Sequence, residues 1–124
     1  MTFGKAVQES LREPERALRQ ALPDVYRGHR QMHSAAFAAG ALDAKVKELI
    51  ALAISVSKQC DGCIASHARG AARRGATSEE VAEALGVAIA MNGGPDMVYA
   101  PRAFAAFREF TEEGAGEAPQ AEHS

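Results

Sequence analysis

Apolar residues recur along this chain at the spacing of three and four that marks one face of an α-helix, and nowhere alternate with polar ones as a half-buried strand requires. The pattern predicts an all-α fold of about six helices. A first amphipathic stretch runs from Lys5 to about Gln20 and is interrupted at Pro14, so a bent or broken helix is expected there. Pro23 suits the first turn of a second helix reaching about Ala39, with Gly40 as its stop. Asp43 is placed to cap a third, whose Val46, Leu49, Ile50, Ala53, Ile54 and Ser57 share the spacing of a buried face, which should make this helix central. A fourth opens at Cys60 or Asp61 and ends near Gly75. Thr77 and Glu80, in the run TSEE, have the spacing of a capping box for a fifth, which carries Val81, Leu85, Ala88 and Ile89 to Asn92. Gly93, Gly94 and Pro95 break it before a sixth, from about Asp96 to Phe110.

Composition narrows the picture. The 124 residues suit one domain, expected over residues 1–111. Apolar residues make up 47 %, but 27 of them are alanine, and Leu, Ile, Val and Phe together number only 23. Alanine forms helices well and lets them approach closely, yet it leaves a small core, so burial between copies of the chain is the natural remedy and a homo-oligomer is expected. From 112 to 124 the run EEGAGEAPQAEHS has four acidic residues and no large apolar one, which predicts a disordered acidic tail. A formal charge of −2 argues against a nucleic-acid partner. The longest apolar run, Leu49 to Val56, falls well short of the roughly 18 residues of a membrane span. The N-terminus has no apolar stretch of the secretory kind, so a soluble, cytoplasmic protein is expected.

In a reducing compartment a close pair of cysteines points to catalysis or metal binding rather than to a structural staple. Here Cys60 and Cys63 are followed by His67 and preceded by Glu48. At about 100° per residue, Cys60, Cys63 and His67 fall within a stripe of roughly 60° on one helix. Glu48 belongs to the preceding helix, and the midpoint between Glu48 and His67 falls in the turn expected at Ser57 to Gln59. An antiparallel hairpin would therefore set a carboxylate against the imidazole, orienting it to take a proton from a cysteine one turn away. The thiolate is the reactive form, and the amide groups of a helix N-terminus favour it. Asp61 opposes this unless it points to solvent, and Gly62 loosens the same turn. Cys63, four residues before His67, is assigned as the relay-activated thiol; Cys60, nearer the helix end and expected to be the more exposed, as the partner that exchanges disulfides.

At these residues the chain resembles the AhpD-like alkylhydroperoxidase family, within the carboxymuconolactone decarboxylase superfamily. The resemblance runs from Lys47 to about Tyr99, with a best-matched core of 43–100, and includes the glutamate helix, the CxxCxxxH helix and the GATSEE turn. It implies an all-helical domain, assembly into trimers or hexamers, and thiol-dependent reduction of a hydroperoxide or disulfide through Glu48, Cys60, Cys63 and His67. An external dithiol or thiol protein would be the electron donor, with no bound cofactor. Well-characterised members carry a second histidine just before the second cysteine, where this chain has Gly62.

Rival readings are a lactone-decarboxylase-like acid–base enzyme, which needs no cysteine pair, and a non-enzymatic helical assembly module stabilised by zinc. Glu48, Cys60, Cys63 and His67 could supply four zinc ligands, but a single helical stripe converges poorly on a tetrahedral centre, so no metal is assigned. His29 and His33, one turn apart, are taken as surface or interface histidines. Tyr26 and Tyr99 stay outside the site as helix-contact aromatics, and Met91, Met97, Phe104 and Phe107 are taken as core or subunit contacts. The glycine pair at 93 and 94 follows a helix rather than a strand, which makes it a stop and not a phosphate loop.

Overall fold

The computed structural model describes residues 2–116, and these form six α-helices: α1 (Lys5–Ala21), α2 (Pro23–Phe37), α3 (Ala44–Ser57), α4 (Asp61–Arg73), α5 (Ser78–Asn92) and α6 (Gly94–Gly116). Among the described residues there is no strand, and no helix is long and apolar enough to cross a membrane. The caps are those the sequence calls for. The Asp43 carboxylate accepts the Val46 N–H at 2.9 Å, and Thr77 and Glu80 close a reciprocal capping box at the start of α5. Lys47 Nζ donates to the carbonyls of Ala36 and Ala38 at 2.9 and 2.6 Å, placing a cation on the negative end of α2 and tying it to α3.

The core lies among α3, α4, α5 and α6. Leu52, Val56, Ile64, Val81 and Phe107 are its large buried members. Around them Ala65, Ala68 and Ala71 on α4 and Ala100, Ala103 and Ala106 on α6 repeat every three residues, so small side chains let these two helices come close. The ends of α3, α5 and α6 are joined by polar contacts: the buried Asp96 carboxylate accepts from the Ser57 hydroxyl and the Asn92 amide, each at 3.3 Å. Neither α1 nor α2 has a buried residue.

Three expectations change. Pro14 does not break α1, which runs continuously past it; the proline stands on the solvent side, where water can serve the carbonyl left without a partner. The buried face of α3 is Leu52, Ser55 and Val56, while Ile50 and Ile54 of the expected face are 46 % and 53 % exposed. Because α3 is apolar nearly all round, periodicity alone does not tell which face meets the core. Of the four side chains expected at core or subunit contacts, Phe107 is buried and Phe104 packs on the core, while the exposure of Met91 and Met97 excludes the core for them but not a contact between subunits. Finally, α6 continues past Thr111 to Gly116, so the expected tail begins as helix, and its remainder lies outside the described residues.

Candidate functional site

The site starts with how α3 stops. Gln59 takes a left-handed backbone, φ 56°, while its N–H bonds the Val56 carbonyl at 3.0 Å and the Cys60 N–H bonds that of Ser55 at 3.1 Å. This paired closure reverses the chain in three residues and delivers Cys60 to the N-cap of α4. The Cys60 sulfur accepts the Cys63 N–H at 3.2 Å, the place a capping oxygen usually takes, and Cys60 and Cys63 are joined as a disulfide with Cα atoms 5.2 Å apart. Their exposure is the reverse of expectation: Cys63 is exposed and Cys60 half-buried. The cap position holds Cys60 in the turn between the helices, whereas Cys63, inside the first turn of α4, faces outward.

Glu48 and His67 meet as the hairpin predicts, with Glu48 Oε1 2.8 Å from His67 Nδ1. Glu48 shares the α3 face of Leu52 and Val56, one and two turns on, and therefore points at α4 rather than at water. The two side chains are only 14 % and 16 % exposed. Room for the carboxylate comes from Gly70, one turn past His67: a Cβ there would stand 2.4 Å from the carboxylate carbon. A glycine inside a helix weakens it by about 1 kcal/mol relative to alanine, so this position is costly unless something needs the space. Gly70, a glycine inside a helix, is the sequence signal for this space.

A second group missed in the sequence comes from α2. The Phe37 ring lies parallel to that of His67, centroids 5.3 Å apart, and His33 stacks on Phe37 at 4.1 Å and lies 5.9 Å from His67. Their spacing of four residues already placed them on one face. His29 leans on His33 at 6.1 Å but remains exposed. The sequence assigned His29 and His33 to a surface or interface; for His33 that surface is the wall over His67.

Asp61 does not simply point to solvent. Its oxygens lie 3.2 and 3.3 Å from Arg102 Nη1 on α6, which offsets the charge that would oppose a thiolate in the same turn. The Arg102 guanidinium in turn sits over Tyr99 at 4.4 Å and Phe3 at 5.1 Å, so Tyr99 reaches the cysteine turn through an arginine. Gly62 faces α1: a Cβ there would lie 3.0 Å from Leu11 Cδ1, so the space next to Gly62 is taken by Leu11. Among the described residues, no group of three or more His, Cys, Asp or Glu side chains is arranged to hold a metal ion.

The helical hairpin thus places a capped cysteine pair and a carboxylate-oriented imidazole on one helix, the arrangement of an all-α domain built around a CxxC. The chain belongs to the carboxymuconolactone decarboxylase family, whose model matches residues 23–109 and so takes in α2 as well as the stretch recognised from the motifs. Similar proteins include an uncharacterised protein of Cupriavidus necator, 45 % identical over 91 residues that cover 73 % of this chain and 80 % of that one. Among solved structures, a carboxymuconolactone decarboxylase family protein of Legionella pneumophila in its apo form matches with a TM-score of 0.82 and 41 % identity, over 85 % of this chain and 94 % of that one. A family protein of Thermotoga maritima, suggested to take part in an antioxidative response, matches with a TM-score of 0.74 and 31 % identity, over 88 % and 97 %.

Proposed function

We propose that this protein is a thiol-dependent oxidoreductase that reduces a hydroperoxide or a disulfide through Cys60 and Cys63. The observation that carries the reading is the hydrogen bond from Glu48 on α3 to His67 on α4, 2.8 Å long and largely shielded from water, which reaches the helix whose cap and first turn hold the two cysteines. With its Nδ1 side held by Glu48, His67 has its other nitrogen free to take the Cys63 proton. The Cys63 thiolate attacks the peroxide oxygen and becomes a sulfenic acid while the alcohol leaves, or attacks a disulfide and becomes a mixed disulfide while a thiolate leaves. The Cys60 thiolate then attacks the Cys63 sulfur, closing the Cys60–Cys63 disulfide and expelling water or the second thiolate. An external dithiol or thiol protein of the cytoplasm returns the pair to its reduced state, and no bound cofactor is needed. The antioxidative response suggested for the Thermotoga maritima relative is in keeping with this reading.

The test is intact-mass analysis of the reduced protein after one equivalent of a hydroperoxide or of a small disulfide, then after dithiol: loss and regain of two hydrogens is expected, and a mass unchanged by both oxidants overturns the proposal. His67→Ala and Glu48→Ala should each move the pH midpoint of Cys63 alkylation upward. If both leave it where it was, the relay has no part in the chemistry. The family's name favours one other reading, an acid–base reaction on a lactone using Glu48 and His67 alone. Turnover of such a substrate by a Cys60→Ser/Cys63→Ser variant would establish it.

The chain also leaves Ile50, Ile54, Val87, Met91, Met97 and Val98 exposed, which supports assembly into a trimer or hexamer of identical subunits. Sedimentation equilibrium should return three or six times the chain mass.

A further inference from the structure

Two hollows open along the outer side of α4, one of about 450 Å³ and one of about 360 Å³. They share Gln8, Ser66 and Arg69 and so adjoin: the second begins at Gly62, between the two cysteines, and the first ends at Gly70, Arg73 and Arg74 beside the Glu48 carboxylate. Together they form a trough along α4 that starts at Gly62, the neighbour of Cys63, passes the Glu48 carboxylate and ends at a cluster of arginines; Cys60, Cys63 and His67 border it without lining it. None of Arg69, Arg73 and Arg74 pairs with a carboxylate among the described residues; of the two acids lining the trough, Glu48 is engaged by His67 and Glu15 lies in the second hollow with Arg12 and Arg19. Three guanidinium groups with no carboxylate partner among the described residues, about two to three helical turns beyond Cys63, are an unused anion-binding capacity.

Resting on the redox reading above, we propose that this trough selects substrates bearing a carboxylate, which Arg69, Arg73 and Arg74 hold while the oxidised group lies at Cys63. A carboxylate suits the planar guanidinium fork, and its single charge meets less repulsion from Glu48 than a phosphate dianion does. Arg69 lies six residues, about 9 Å of helix rise, beyond Cys63 and Arg73 about 15 Å beyond it, which sets the span between the two ends of the substrate.

The test compares two aromatic disulfides on the reduced full-length protein: dithiobis(nitrobenzoate), with a carboxylate on each ring, and neutral dithiodipyridine. With either, the Cys63 thiolate attacks one sulfur, forms a mixed disulfide and expels one arylthiolate. The Cys60 thiolate then attacks the Cys63 sulfur, closing Cys60–Cys63 and expelling the second. The protein loses two electrons, the probe gains them, and the two cysteine protons pass to solvent.

The rate ratio of the charged to the neutral probe cancels any change in thiol reactivity common to both. Arg73→Gln should lower it about twofold to fivefold and the triple Arg69→Gln/Arg73→Gln/Arg74→Gln about tenfold, as expected for solvent-accessible charges. Ionic strength near 1 M, where screening acts over about 3 Å, should bring the wild-type ratio close to that of the triple variant. Arg16→Gln, which removes an arginine paired with Glu13 outside the trough, should leave it unchanged. A ratio unaltered in the triple variant, or lowered as far by Arg16→Gln, overturns the carboxylate site while leaving the redox reading intact. Failure of both probes to form the Cys60–Cys63 disulfide removes the redox reading and the site together.

Discussion

The two helical pairs that meet at the site are built in opposite ways. The α3–α4 hairpin is locked into the core by Leu52, Val56, Ile64 and the alanines of α4, and it carries Glu48, Cys60, Cys63 and His67. The α1–α2 pair has no buried residue, and Leu18, Val25 and Met32 on it stand half exposed or more. Yet it supplies Leu11 against Gly62, Gln8 in the trough, and the rings of Phe37 and His33 over His67. The lesson is a division of duties: the groups proposed to exchange protons and electrons sit on the hairpin that packing fixes, and groups that shape and cover the site sit on a lightly held layer.

That contrast breaks most readily in stability. Phe107→Ala, in the middle of the core, should cost about 3–5 kcal/mol, whereas Val25→Ala on α2 should stay within about 0.5 kcal/mol. Urea titration of the two variants checks this. Comparable losses would mean that α2 is held in solution by contacts beyond those within one chain.

Next in size is Gly70→Ala. The new methyl group would displace the Glu48 carboxylate from His67, and peroxide or disulfide turnover should fall about tenfold to a hundredfold. Helix propensity favours alanine by about 1 kcal/mol, so thermal stability should hold or rise, separating this loss from unfolding. Adding Glu48→Asp, which shortens the acid, should recover part of the rate; no recovery would show that the glycine matters for some other reason.

Much of this architecture was legible in the residues, and the parts that were not share a cause. Asp43, Thr77 with Glu80, and the turn near Ser57 are local signals, readable because cap and turn chemistry depends on neighbours along the chain. The Glu48–His67 contact followed from one further step, the antiparallel return of a short hairpin. Contacts between helices distant in sequence were not legible: Arg102 with Asp61, Phe37 over His67, Leu11 beside Gly62. The buried face of α3 departs from its periodicity for a related reason. Ile50 and Ile54 have the spacing of buried residues, but one chain provides nothing to bury them, and periodicity reports apolar character without naming what covers it.

A milder perturbation probes the covering layer itself. Phe37→Ala removes the ring stacked on His67 and should slow turnover severalfold, while lowering stability in urea by no more than the roughly 0.5–1.5 kcal/mol of an aromatic pair plus the lost burial of a half-exposed ring. Phe37→Leu keeps bulk without the flat face. Equal activity in the leucine and alanine variants would reduce the role of Phe37 to its ring, and full activity in the leucine variant would reduce it to volume.

The smallest effect belongs to an ion pair inside the well-packed half. Lys45 Nζ lies 2.9 Å from Glu80 Oε2, joining the first turns of α3 and α5 at a solvated edge. The Thr77 N–H first, then Lys45, holds the Glu80 carboxyl below its ordinary value, while the hydrogen bond and charge of Glu80 hold the Lys45 ammonium above its own. A depressed acid contributes stability above its unfolded value and loses it as pH falls through the folded one; a raised base contributes below its unfolded value and loses it as pH rises through the folded one. Both contributions are therefore complete at neutral pH. Lys45→Met should lower the melting temperature by only about 1–2 °C there, since exposed pairs are weak, and the difference should vanish in acid once Glu80 is protonated and in about 1 M salt. A difference that persisted in acid would assign the effect to the packed methylene stem of Lys45 rather than to its charge.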